Sequence, residues 1–326
     1  MATLDHQLGT VDEVTYGTLI TPTRFHEYNS ESIEETEGRT EGDPLRAGTF
    51  VQRNDRFTPY FSGAGGPIQV DVLSKGFGFW LKHMLGSVAT TGPAETTVFT
   101  HTGTVGSLMG DSFTAQVNRP FSPSGTNQPF AYLGGKVAQW SLSNAVDGNL
   151  ICDLTCDFQN VDTATGLAVA AYPTAMEPLT WVGGVINIGG LAYDITEISV
   201  SGDNSINGDR RQIRGNSLKK EPTNGRRAIE FSINADFDSM AQRNRAHATT
   251  RAAALASITA TWTAPTLIGS TLFPALTLTI PAARFDKWKA ATEGPDALMQ
   301  ELSGVVRYDG TNSPVSVAYQ TLDTTP

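Results

Sequence analysis

Residues 32–55 read SIEETEGRTEGDPLRAGTFVQRND, and the fold turns on this stretch. Glu41-Gly42-Asp43-Pro44 is turn chemistry, and Gly48 closes it. The returning run 49–55 mixes β-branched and polar residues, so the stretch predicts a long two-stranded hairpin. A lone two-stranded ribbon is marginal in water. Its unpaired edges also invite strand addition from neighbours. Copies pairing side by side into a closed barrel would remove both problems.

Downstream, IQVDVL (68–73) alternates as a strand. Ser74 can cap a helix over 74–86, where Phe77, Trp80, Leu81, Met84 and Leu85 form one apolar face and Gly86 stops it. SFTAQVN (112–118), GKVAQWSLS (135–143) and LICDLTCDFQNV (150–161) read as strands, with Asp147-Gly148 as the turn between the last two. In 150–158 alternation sets Cys152 and Cys156 on one face. Four residues apart on a strand is about 13 Å, too far for a disulfide. The lead-in, residues 1–30, reads as an arm.

The landmarks then recur. Charged hairpins begin near Ile33 and Ile195, helices near Ser74 and Asp238, and Asp147-Gly148 returns as Asp309-Gly310. In the second half DITEISV (194–200) and RRQIR (210–214) flank a turn-rich stretch. AIEFSINADF (228–237) reads as a strand, and an Ala-rich helix runs from Asp238 to about Ala256. SITATWTA (257–264), ALTLTI (275–280), ELSGVVRY (301–308) and SPVSVAYQ (313–320) complete the plan. The expectation is a mainly β chain of two tandem modules, 1–162 and 179–326, joined by the linker 163–178. Each module would carry one packed helix and one long projecting hairpin. Two similar surfaces in one chain suit repetitive assembly better than a single active site.

Net charge is −10, shared unequally: residues 1–162 hold 18 acids and 9 bases, residues 163–326 hold 15 and 14. That balance argues against tight nucleic-acid binding, which needs Lys and Arg against phosphates. No apolar run approaches a bilayer span and the start lacks a signal-peptide pattern, which predicts no membrane anchor and a cytosolic compartment. The glycines at 63, 65 and 66 lead to no Gly-Lys-Ser/Thr, no Gly-x-Ser-x-Gly elbow is present, and His6, His26, His83, His101 and His247 are scattered without metal-type partners. The expectation is no enzyme, no catalytic residue, no metal and no cofactor.

Several stretches resemble the tail tube (major tail) proteins of long-tailed bacteriophages. They are the lead-in DEVTYGTLITPTRFHEYNSESIEE (12–35), GFGFWLKHMLG (76–86), SFTAQV (112–117) and, most specifically, YLGGKVAQWSLSNAVDG (132–148). In the last, Tyr132, Gly134, Lys136, Val137, Leu142 and Gly148 stand in family positions. The resemblance covers mainly residues 10–160. It implies β-sandwich or barrel modules assembled into rings that stack as a conduit for genome ejection, with the long hairpins lining the bore. Most members carry one module per chain in six-fold rings. Two modules therefore predict three chains per ring with pseudo-six-fold symmetry.

Under that resemblance the carboxylates Glu34, Glu35, Glu37, Glu41 and Asp43 line the lumen, where a repelling wall lets DNA slide. The alternative is a solvated surface hairpin. Arg210, Arg211, Arg214, Lys219, Lys220, Arg226 and Arg227 form a basic counterpart. They are read as charge contacts between modules or subunits, against direct DNA binding or plain solvation. The lead-in and PFSPSGTNQPF (120–130) are candidate ring contacts whose deletion should leave folded subunits that fail to polymerise. Expected partners are further copies of the chain, a tape measure protein, tail-end proteins and DNA in transit, in a virion tail assembled in the host cytoplasm. The alternatives are a distal-tail or tail-completion ring protein, or a carbohydrate-binding β-sandwich at the virion tip.

Overall fold

The computed structural model describes residues 5–122, 124–290 and 298–326. The chain begins with β1 (Leu8–Asp12), β2 (Arg24–His26), β3 (Ser30–Glu31), β4 (Glu34–Glu41) and β5 (Phe57–Asp71), then α1 (Gly78–Leu85). Next come β6 (Gly86–Ala94), β7 (Val98–Val105), β8 (Phe113–Asn118), β9 (Pro129–Ala145), β10 (Ile151–Phe158) and β11 (Asn160–Asp162). The second half holds β12 (Gly184–Ile188), β13 (Leu191–Ala192), β14 (Ile195–Asp203), β15 (Ala228–Asp236) and α2 (Ala241–Ala246). It ends with β16 (Leu255–Thr263), β17 (Ala275–Ala290), β18 (Met299–Val306) and β19 (Ser316–Thr321). The chain is mainly β, with all strands linked into one large antiparallel sheet.

One order of pairing occurs twice. β4 pairs β5, β5 pairs β10, β10 pairs β9, β9 pairs β8 and β8 pairs β1. Later, β14 pairs β15, β15 pairs β18, β18 pairs β17, β17 pairs β16 and β16 pairs β12. Matched rows run Ile68–Leu154–Trp140 in the first set and Ile233–Leu302–Trp288 in the second. These rows match the β9–β10 turn at Asp147 to the β17–β18 connection, whereas Asp309-Gly310 follows β18. Asp147-Gly148 and Asp309-Gly310 are therefore not matching turns, because strand register is set by pairing while loop lengths vary freely.

The core is contiguous. α1 lies among β6, β7 and β9 with Phe79, Trp80, Leu81, Met84 and Leu85 buried. It starts later than expected: its cap position is Phe77, while the Ser74 hydroxyl accepts a bond from the Glu177 amide. Gly86 ends it in the left-handed conformation with φ 84°, which glycine alone adopts without strain. Cys152 and Cys156 are free and buried, and burial raises both thiols.

Four expectations fail, each for a physical reason. The hairpin's return strand is β5, beginning at Phe57, so 49–55 belongs to the connection and β5 runs straight on through IQVD. RRQIR (210–214) is no strand; the partner of β14 is β15. The second helix is only Ala241–Ala246, with Gln242 its one buried residue. Alanine propensity without an apolar stripe does not sustain a longer helix. The lead-in is not a free arm, since β1 pairs with both β2 and β8. Buried Glu13 behind it accepts bonds from the Ser112 and Thr114 hydroxyls and the Gly17 and Gly134 amides. Removing residues 5–30 would break the core rather than merely prevent polymerisation.

Candidate assembly surface

Between the two sets of paired strands, β9 pairs β14 over Gln139–Ala145 and Glu197–Asp203. This joins eight strands in the order β4, β5, β10, β9, β14, β15, β18, β17. Period-two alternation gives that ribbon two unlike faces. Ile68, Cys152, Leu154, Leu142, Ile198, Val200, Phe231, Ile233 and Leu302 point into the core and are buried. The intervening residues form a polar face. It carries Glu34, Asp71, Asp153, Glu197, Asp203, Glu230, Asp236 and Glu301 among serines, threonines and amides.

Bonds across strands tie this face together. Gln69 Nε2 donates to Asp153 Oδ1 at 2.7 Å, Gln139 Nε2 to Asp203 Oδ2 at 3.2 Å, and Asn234 Nδ2 to Glu197 Oε2 at 2.9 Å. A shallow depression of about 430 Å³ lies on it where β9, β10, β14 and β15 meet, bordered by Asp153, Asp203 and Glu230. Alternation along β10 sets Asp153 on the face opposite Cys152 and Cys156. Alternation identifies such carboxylates strand by strand; only the pairing order brings them together.

The five hairpin acids divide. Glu34 lies on the polar face opposite Gly65, while Glu35, opposite Ala64, points to the other side and is exposed. A bulge at Thr36/Glu37 follows, so Glu37 and Glu41 belong to the outer part of the hairpin, where both are exposed. Asp43 sits in the connection 42–56, with Leu45, Phe50 and Val51 standing almost fully in solvent.

The basic stretch lies elsewhere. The connection 204–227 does not project but folds back against the first half. Lys219, only 6% exposed, reaches Asp157 Oδ1 at 2.5 Å. Burial raises the Asp157 carboxyl even against the lowering effect of Lys219. Arg211 donates to the Ser62 carbonyl and hydroxyl and pairs with Asp209. Arg210 donates to the Glu221 carbonyl, and Arg214 to the carbonyls of Leu218 and Lys219. Arg227 donates to the carbonyls of Leu85 and Gly106, closing the C-terminus of α1. Lys220 and Arg226 make no side-chain bond or ion pair among the described residues. Buried Lys136 answers from the first half, pairing with Glu221 at 2.7 Å and donating to the Leu108 carbonyl.

Among the described residues, no group of three or more His, Cys, Asp or Glu is arranged to hold a metal ion. No helix is long and apolar enough to cross a membrane. What the molecule offers is an extended two-faced ribbon that is open, among the described residues, along β4 at one end and along β17 beyond Arg284 at the other. A family model described as phage tail tube protein matches residues 3–306. The chain belongs to that family. No curated protein matches it. Membership in the tail tube family makes the role structural, that of a virion tail component built by homo-oligomeric assembly into a tube.

Proposed function

We propose that the chain is the repeating subunit of a phage tail tube. Its eight-stranded ribbon becomes one third of a closed inner barrel, with the polar face turned to the bore. The observation that carries this is the ribbon itself: four strands from each half, continuous, greasy on one side and acidic on the other. Residues 1–162 and 179–326 then act as two equivalent tube modules joined by 163–178, giving pseudo-six-fold rings of three chains.

The dimensions agree. Three copies supply roughly 24 strands; at about 4.8 Å spacing and ~40° tilt the backbone circle is roughly 50 Å across, wide enough to pass a DNA duplex. Carboxylates on the wall repel the phosphates, of which about twenty lie along 33 Å of duplex. The genome stays centred and slides instead of binding each ring. No catalysis is needed for that work.

The exposed connection 42–56 suits contact with the next ring, where Leu45, Phe50 and Val51 would leave water. A tape measure protein inside the bore and end proteins at either tip complete the partners. Cryo-EM of assembled particles tests the reading. Three copies per ring with Asp153, Glu197 and Glu230 facing the bore are expected. Six copies per ring, or that face turned outward, overturns it.

A further inference from the structure

The ribbon ends in two unlike edges. At one end β4 pairs only with β5 among the described residues. At the other, β17 beyond Arg284 pairs only with β18 among the described residues. The two edges lie at opposite ends of the ribbon and are not paired with each other within the chain among the described residues.

Resting on the tube reading above, we propose that these edges join antiparallel between neighbouring copies in one defined register, with Lys289 of one copy opposite Glu34 of the next. The chain carries its own template for that joint. At the internal junction Trp140, in the Leu154 row, lies opposite Gly202, four residues beyond Ile198, which heads the Leu302 row. Trp288 in the second half stands where Trp140 does in the first, each beside its matched leucine, and Glu31, paired with Ile68, stands where Ile198, paired with Ile233, does. Repeating the four-residue stagger sets Trp288 opposite Glu35. Antiparallel pairing then brings Lys289 to Glu34 and Lys287 to Thr36, one diagonal step from Glu34.

The charges fit this register. Lys287 and Lys289 are exposed on the polar face at the β17 edge, the only lysines on its open part; Lys289 lies 3.5 Å from Glu301, a long contact between two well-exposed side chains that leaves its ammonium free to reach across the edge. Glu34 is exposed and has no ion-pair partner among the described residues. Glu31, by contrast, is already held by Arg119 at 2.6 Å. Trp288 lies against Phe237 with ring centroids 5.7 Å apart, so its partner position does not require the glycine that Trp140 needs at 202. Opposite charges at directly paired positions favour one register, and slipping by a residue would send both side chains to opposite faces. Lysines at an open edge also discourage pairing with a like edge.

The test uses the full chain. In Glu34→Cys/Lys289→Cys the new thiols would face each other at disulfide distance. The native Cys152 and Cys156 are buried and do not compete. Mild oxidation of assembled tubes should give a covalent ladder closing at the ring size, with none from unassembled chain or from Glu34→Cys/Asp286→Cys. Ser143→Cys/Ser199→Cys, opposite each other at the internal junction, should close within one chain and serves as the positive control. In parallel, Glu34→Lys or Lys289→Glu alone should raise the concentration needed for assembly by roughly fivefold, and the two together should restore it. Tubes that form without the ladder, or charge reversals that fail to compensate, overturn the register and leave the tube reading standing. An unaltered chain that forms no ring or tube overturns both.

Discussion

Residues 42–56 and 204–227 connect corresponding strands, β4 to β5 and β14 to β15, yet they lie in opposite surroundings. The first stands in solvent and carries Leu45, Phe50 and Val51 exposed. The second is laid across the first half, with Lys219 buried on Asp157 and Arg227 bonded to the end of α1. Strand order alone does not decide where a connection goes. What decides it is whether the connection's polar groups find partners on the molecule's own surface. The basic segment 210–227 finds carboxylates and free carbonyls there. The connection 42–56 carries Asp43 and Asp55 against Arg46, Arg53 and Arg56, and its ion pairs, Arg53 and Arg56 with Asp55, stay within the connection itself.

The pinned connection is the place to break this comparison hardest. Replacing Lys219 with Met would leave Asp157 poorly solvated and without its cation, at a cost of about 3 kcal/mol. Adding Asp157→Asn should recover much of that loss, since the stranded charge is then gone. Urea unfolding of the two single variants and the double variant measures the coupling. A loss under about 0.5 kcal/mol for Lys219→Met would mean that the connection is held by its backbone bonds instead.

The halves differ also in their imidazoles, which gives a smaller effect. His26, His83 and His101 are buried in the first half, while His247 in the second is exposed. Burial lowers His26 to about 3, beside Arg24, and lowers His83 and His101 as well. The unfolded chain takes up a proton below about pH 6.5 that folded His26 refuses until about 3. Stability therefore declines as pH falls through that window, by about 2 kcal/mol from His26 alone between pH 7 and pH 5. Urea midpoints at the two values measure the decline, and His26→Gln should flatten it. Hydrogen exchange should show β1 and β2 loosening before β15 and β18 do; uniform loosening would remove the distinction between halves.

How much of this was legible beforehand follows from which interactions are local. The apolar alternation of 150–158 and of 228–237 identified β10 and β15 almost to the residue, because each strand buries one face. GSVATTGPA, which forms β6, escaped notice: it is mostly exposed and has no apolar period. α2 is much shorter than the Ala-rich stretch 238–256 suggests, because alanine content by itself supplies no packed face. The carboxylates of the polar surface were visible one at a time, but the β9–β14 pairing that gathers them joins residues about sixty apart. Nothing in either segment alone announces it. For the same reason Asp157 could not be singled out as the partner of Lys219, nor Glu221 as the partner of Lys136.

The projecting connection should respond in the reverse manner, with the smallest effect on the isolated chain. Leu45, Phe50 and Val51 touch little of their own molecule, so changing all three to Ser removes almost no buried apolar area. Stability should move by less than about 0.5 kcal/mol, as for surface substitutions generally. An exposed apolar cluster on a hairpin tip, however, marks a surface meant to be covered. If ring-to-ring contact covers it, the triple variant should still close rings but fail to stack them into long tubes. Electron microscopy of tube length beside an unfolding curve separates the two effects. Tubes of normal length would assign stacking to another surface. A stability loss above about 1 kcal/mol would mean that 42–56, like 204–227, leans on its own molecule, and the contrast between the two connections would close.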